Sequence, residues 1–415
     1  MDTLEDRIAS AVLSAYTDLP SKSKLLARSD SRQWVPLSGV VLECSKGTGR
    51  FTSVALGTGM KCLTRDKIPL AGGMVLHDSH AEVLAIRGLN CFLLEECKAL
   101  SADKLFVSKF IRRRSQQEIS QQSPQPFTLR ENVLIHFYSS EAPCGDASME
   151  LTMAAQDDPT PWTTLSLTPT STPTSAPPTT LLRGREYFSE LGTVRTKPGR
   201  ADSPPTLSKS CSDKLSIRQV TSALLSPTTL LISPENAYFS TVVLPTTSYS
   251  PTACARAFSA TGRMAPLVGR KFGSGYKFSP FAVRTTNIAF EFSKRVVGAG
   301  AIGSNISAVW VRGRGVETLI GGVLQGRKQF ASGIKGASML CKMLIWRLVQ
   351  KVAEAEGVEG AGGERYRSLK LGARMATRDE AKEVTRGVLR GWVRNDGDDF
   401  GSVRENIFYL RLSTY

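Results

Sequence analysis

Residues 132–139 have fewer ways to fold than any other part of the sequence. Val133-Leu134-Ile135-His136-Phe137-Tyr138 is a continuous apolar and aromatic run with no polar alternation. A strand of this kind offers no face to water, so it reads as a strand buried on both sides of a sheet. It leads directly into Ala142-Pro143-Cys144-Gly145-Asp146, which sets a cysteine just beyond the end of a rigid element.

Other elements can be placed around this strand. Leu4, Ile8, Val12 and Tyr16 recur at helical spacing, predicting an amphipathic helix over 3–16. Two β-rich runs, 34–44 and 51–63, flank Gly47-Thr48-Gly49 and predict a hairpin. Ser79 is a candidate N-cap for a helix extending to about Leu100. Residues 115–130 read as a loop. Strand-like runs recur at 228–233, 237–244, 285–293, 306–312 and 317–324, and helical patterns at 336–355 and 370–392. Residues 181–218 are basic and lack a regular pattern. Strands interleaved with helices predict an α/β fold, with α/β/α layers around a mixed sheet. The stretch 158–180 is dense in Ser, Thr and Pro, the composition of a disordered insertion.

Charge narrows the class of partner. The 53 Lys and Arg against 37 Asp and Glu give the 415-residue chain a net charge of +16, which favours a polyanion such as nucleic acid. The acidic start, Met1-Asp2-Thr3-Leu4-Glu5-Asp6, does not read as a secretory signal, and no run approaches the ~20 apolar residues of a membrane span. Eight irregularly spaced cysteines do not form a disulfide framework. These features predict an intracellular protein, in the nucleus, the cytoplasm or both, with no evident need for an obligate protein partner.

The chain has three histidines, and His77 and His80 both lie in Asp78-Ser79-His80-Ala81-Glu82 or just before it. His80 can supply one metal ligand and Cys144 a second, because a catalytic zinc takes three protein ligands and keeps one open position. A third ligand three residues after Cys144 would fall on Ala147, so either the third ligand is distant or there is no site. Cys91, Cys97 and Cys341 lie in apolar helical runs and read as small hydrophobes. Cys44, Cys62 and Cys254 lack ligand-like neighbours. Cys211, within Lys209-Ser210-Cys211-Ser212-Asp213-Lys214, has a polar, partly cationic setting that favours a thiolate. Three cations also stand out in or beside apolar sequence: Arg87, Lys342, with no acid nearer than Glu354, and Lys214 beside Cys211. A buried cation needs a partner unless its stem carries the charge out to water.

His80-Ala81-Glu82, Pro143-Cys144-Gly145-Asp146 and Ser210-Cys211-Ser212-Asp213-Lys214 together resemble the editase family of RNA adenosine deaminases, from about residue 20 to 410. The resemblance implies a cytidine-deaminase-like topology with the family's C-terminal helices. It also implies one domain over 1–415, since the 158–180 insertion lies between ligands of one ion. Zinc would be held by His80, Cys144 and Cys211, and Glu82 would carry protons as adenosine becomes inosine. The segment 183–200, followed by Ser203-Pro204-Pro205-Thr206, is similar to the branch that edits transfer RNA, at the adenosine 3′ of the alanine anticodon (tRNA position 37). The 197–204 loop lacks the glutamate with which duplex editors fill the gap left by a flipped base. A deaminase of structured messenger RNA, or a silent RNA-binding relative, are the alternatives. The family further implies inositol hexakisphosphate in a basic cavity, with Arg87, Lys214, Lys342, Tyr366, Lys370, Lys382 and Trp392 at matching positions. Salt-dependent RNA contacts are expected of Arg112-Arg113-Arg114, 183–200 and 256–295.

Overall fold

A computed structural model describes residues 2–24, 32–44, 49–155, 182–199, 202–331, 333–395 and 397–401. The insertion expected at 158–180 and the hairpin turn Gly47-Thr48 lie outside the described residues. Eight strands form the main sheet: β1 Leu37–Cys44, β2 Arg50–Thr58, β3 Val133–Ser139, β4 Phe239–Pro245, β5 Ala282–Thr286, β6 Ile306–Val311, β7 Gly315–Ile320 and β8 Val323–Leu324. Their spatial order is β5-β4-β3-β1-β2-β6-β7-β8. The sheet is mixed: β3, β4 and β5 run parallel, and the remaining pairs are antiparallel.

The apolar run at 133–138 becomes β3, paired on both edges: Phe137 lies opposite Val40 of β1 and opposite Val242 of β4. Helix α1, Leu4–Thr17, covers one face, where Ile8, Val12 and Tyr16 pack on Leu37, Val41 and Tyr138. Helix α2, Ala81–Ala102, covers the other, with Leu84, Ala85 and Leu89 against Val40, Val54 and Phe137. Besides a single helical turn at Lys294–Val297, the remaining helices among the described residues are α3 Met149–Ala154, α4 Cys211–Thr221, α5 Pro251–Phe258, α6 Lys342–Ala355, α7 Tyr366–Leu371 and α8 Ala376–Val388. No helix among the described residues is long and apolar enough to cross a membrane.

Several expectations are corrected. The N-cap of α2 is His80, with Ser79 in a short strand, Asp78–His80, paired to Met60–Cys62. The run at 228–233 is a buried 3-10 turn, Thr228–Leu230, with only an isolated bridge from Ile232 to Phe127, because apolar content alone does not specify a strand. Within 285–293 only the beginning pairs; Phe290 and Phe292 leave the sheet to pack on Tyr16, Phe290 edge-on at 4.9 Å. Gly372 divides the C-terminal helical pattern into α7 and α8. Helices α4 and α5 are too short, at 11 and 8 residues, for periodicity to reveal them.

Close approach of α2 to the sheet depends on Gly57 in β2. A Cβ there would lie 2.5 Å from the Leu84 Cβ and 3.0 Å from the Ala81 carbonyl oxygen, both in the first turns of α2. Gly57→Ala is expected to destabilise the protein by about 1–3 kcal/mol, read as a lower urea midpoint at unchanged slope.

Candidate metal centre

Three segments distant in sequence meet at the ends of rigid elements. His80, in extended conformation (φ −67°, ψ 141°), ends the short strand and caps α2. Cys144 follows β3, and Cys211 opens α4, whose cap residue Ser210 accepts a hydrogen bond from the Asp213 backbone amide. The His80 Nδ1 lies 4.0 Å from the Cys144 Sγ and 3.7 Å from the Cys211 Sγ. Tetrahedral zinc, with arms of ~2.0 Å to nitrogen and ~2.3 Å to sulfur, needs S···N edges of roughly 3.5 Å. The donor set and its spacing fit that ion. Since His80 precedes the helix, the ~200° that separates two residues within a helix does not apply, and Glu82 in the first turn lines the same cavity of about 420 Å³.

The two cysteine loops are tied directly to each other. The Cys211 backbone amide donates to the Cys144 Sγ at 3.3 Å, and the Ser212 amide to the Cys144 carbonyl at 3.0 Å. Gly145 (φ +100°) permits the approach, as a Cβ would fall 2.2 Å from the Ser210 Oγ. The acid two residues after each cysteine anchors its loop. Asp146 accepts from Arg256 of α5 at 2.9 Å, and Asp213 from Arg263 at 2.7 Å.

Glu82 is 5% exposed, and its Oε2 has no hydrogen-bond partner among the described residues. Burial first, then the Cys144 sulfur, pushes its carboxyl above the usual range. The Cys144 thiol is held well below its ordinary value, first by the hydrogen bond from the Cys211 thiol and then, against burial, by Lys197. Lys197 is itself 4% exposed and donates to the Cys211 Sγ at 3.3 Å and to the Asp78 carboxylate at 2.9 Å. Burial opposes ionisation of Asp78, but Lys197 and Lys214 outweigh it and hold the carboxyl well down.

A second cavity, of about 340 Å³, adjoins through Asp78 and Lys214. Arg87, Lys209, Lys214, Arg218, Lys342, Lys370 and Arg386 line it with Trp392, against only Asp78 and Asp398 among the described acids. Of the seven residues matched to a polyanion site, Arg87, Lys214, Lys342, Lys370 and Trp392 are in this wall. Tyr366 stacks on Phe400 at 4.9 Å, with the Lys370 ammonium 5.2 Å from its ring centre, while Lys382 donates to Ser226 and Asp379. The partner that Lys342 lacks in local sequence is Asp398, at 2.6 Å. Among the described residues Arg218 reaches only the carbonyls of Ser222 and Leu224, and burial, then Arg378 and Arg87, pushes it down to about 9.

A family model for the adenosine-deaminase (editase) domain matches residues 55–396. The chain belongs to the editase family. It is 35% identical over 402 residues, 95% of each chain, to "tRNA-specific adenosine deaminase 1" of Schizosaccharomyces pombe. To the Saccharomyces cerevisiae protein of the same name it is 35% identical over 227 residues, 54% of each chain. Mouse "Double-stranded RNA-specific editase B2" is 32% identical over 111 residues, 27% of this chain and 14% of that protein.

Sequence reasoning missed several members of this editase site. Asp78 lies two residues before His80 and anchors it, its Oδ1 accepting from the His80 amide at 2.9 Å; that proximity in sequence was the available signal. Lys197 and Arg218 carry no local signal. Cys62, given no ligand-like neighbours, faces Asp78 across the short strand pair and completes a second cluster with Asp78 and His80. Glu141 also lines the metal-side cavity. The run Arg112-Arg113-Arg114, expected on an RNA surface, also makes contacts within the protein: Arg112 pairs with Glu118 and Glu131, Arg113 with Glu356, and Arg114 donates to the carbonyls of Ser123 and Gln125.

Glu82→Ala should retain one metal per chain by elemental analysis while inosine formation falls by at least about 100-fold. Near-normal turnover would remove Glu82 from the reaction.

Proposed function

We propose that this chain converts adenosine to inosine in transfer RNA, at the adenosine 3′ of the alanine anticodon (tRNA position 37). The observation that carries the reading is the Glu82 oxygen, unpartnered among the described residues, in a cavity that also exposes His80 and Cys144, whose ligand atoms lie within 4.8 Å of each other and of the Cys211 sulfur. The names of the two yeast relatives support transfer RNA over a messenger-RNA duplex.

Zinc held by His80, Cys144 and Cys211 would supply an activated water at the floor of the cavity. The thiolates and imidazole orient that position, while Lys197 compensates the charge on Cys211. Glu82 would take a proton from the water as its oxygen adds to C6, pass that proton to the purine N1, and carry the remaining hydroxyl proton to the amino group, which leaves as ammonia; burial raises its proton affinity in the direction this requires. Pro36, Met60, Leu151 and Ala155 give the cavity apolar sides for a planar base. An adenosine in an unpaired loop is extruded at little cost. We read residues 1–415 as one deaminase unit with 158–180 as an insertion, working inside the cell in the nucleus, the cytoplasm or both. No obligate protein partner is proposed.

Incubating the protein with an unmodified tRNA(Ala) transcript and sequencing the product should show A-to-G conversion at position 37, with little on a long RNA duplex. Equal conversion of the duplex would favour a messenger-RNA editor.

We also infer that the second cavity takes inositol hexakisphosphate, held by Arg87, Lys214, Lys342 and Lys370 beside Trp392, with Tyr366 supporting Lys370 and Lys382 behind. The support is the excess of cations over acids in that wall. Burial pushes Lys342 down from 10.5 to about 8, and Lys382 to about 7. Between those values and 10.5 the unfolded chain binds more protons than the folded one, so stability should rise with pH across that window. Chemical denaturation of polyanion-free protein should show the rise, and saturating inositol hexakisphosphate should flatten it.

A further inference from the structure

One large side chain at the metal-side cavity has no role in the core or in the chemistry above. Trp34 lies on a two-residue strand, Gln33–Trp34, held by parallel pairing to Ile302–Gly303 and by the Ser304 amide donating to the Trp34 carbonyl at 2.9 Å. The backbone is therefore fixed. The indole is half-buried, yet it joins none of the protein's hydrophobic clusters, to which Trp310, Trp346 and Trp392 all contribute. It makes no ring contact with another aromatic side chain among the described residues. Instead it lines the cavity that holds Glu82 and Cys144, where it is the only aromatic carbon ring among the described residues.

Its depth in that cavity is informative. Glu82 at the floor is 5% exposed, whereas the residue beside the indole is the exposed Lys294, whose ammonium is 5.9 Å from the ring centre. Lys294 is anchored by its own backbone amide, which donates to Glu141 at 2.7 Å. Arg295, also exposed, follows on the same rim. A half-buried aromatic ring beside an exposed cation in the wall of a pocket suits a nucleotide: the ring takes the base by stacking and the cation takes the phosphate. A base stacked there would sit at the level of the rim, so it is a neighbour of the reacting adenosine and not the adenosine itself.

We propose that Trp34 is a stacking platform for the nucleobase adjacent to the extruded adenosine, with Lys294 beside it contacting that nucleotide's phosphate. Stacking accepts any base, so Trp34 contributes affinity and positioning in an unpaired loop but no base identity. A duplex would have to unstack a paired base to use it. The proposal rests on the RNA-deaminase reading above.

The test uses tRNA(Ala) transcripts with 2-aminopurine on either side of the target adenosine. Wild-type protein should quench one of the two labels on binding. Trp34→Ala should abolish that quenching and raise KM by about 10-fold to 100-fold with a smaller change in kcat, at unchanged metal content. Trp34→Phe should restore most of both. Unaltered quenching by Trp34→Ala at both positions would overturn the platform, as would a Trp34→Phe variant as impaired as Trp34→Ala. Wild-type turnover on unlabelled transcript is measured alongside. Absence of inosine there overturns the deaminase reading and this proposal with it, whereas normal wild-type turnover with an indifferent Trp34→Ala overturns the platform alone.

Discussion

Asp78 holds together the two charged regions of this protein. Its carboxylate is 6% exposed and accepts from the ammonium groups of both Lys197 and Lys214. An isolated carboxylate at that depth would be costly by several kcal/mol, and so would Lys197, which is as deeply buried. Each makes the other tolerable. Lys197 extends the chain of compensation to the Cys211 sulfur, and Lys214 extends it to the basic cavity. The candidate metal ligands and the cation-lined cavity therefore share one ionic framework.

Positive charge in this protein serves two purposes that a net charge cannot separate. Much of it is consumed inside the fold. Arg195 donates to four backbone carbonyls, Arg256 and Arg263 hold the acids behind the two cysteines, and Arg378 joins carbonyls of Thr221 and Leu224. Arginine suits this because its planar fork satisfies several acceptors while its charge persists. What remains at the reaction cavity is Lys294 and Arg295, exposed at its rim. A basic stretch in the sequence is thus a weak guide to the RNA-facing surface, since the same residues bridge loops that have too little regular structure to hold themselves.

The elements legible in the sequence are those whose signal is local. Helix α1 follows from Leu4, Ile8, Val12 and Tyr16, and β3 from an apolar run that tolerates no exposed face. Boundaries were less legible, because His80 caps α2 without a side-chain hydrogen bond and a helix-start pattern points to Ser79 instead. Short helices and the turn at 228–230 were illegible for a related reason: one or two turns carry too few residues to establish a period.

By itself the sequence determined the chemistry available: one histidine and two cysteines in settings suited to ligation, a glutamate beside the histidine, and more cations than surface solvation needs. It also determined that strands and helices would alternate in layers. Only the tertiary structure decided that His80, Cys144 and Cys211, separated by 64 and 67 positions, converge on one point, that Asp78, Lys197 and Trp34 belong around it, and that Asp398 pairs with Lys342 in the adjoining basic cavity. The reason is that ligation, ion pairing and stacking act through space over a few ångströms. Which residues meet at that range depends on how the sheet orders its strands, and β3 neighbours β1 and β4 across long stretches of intervening chain.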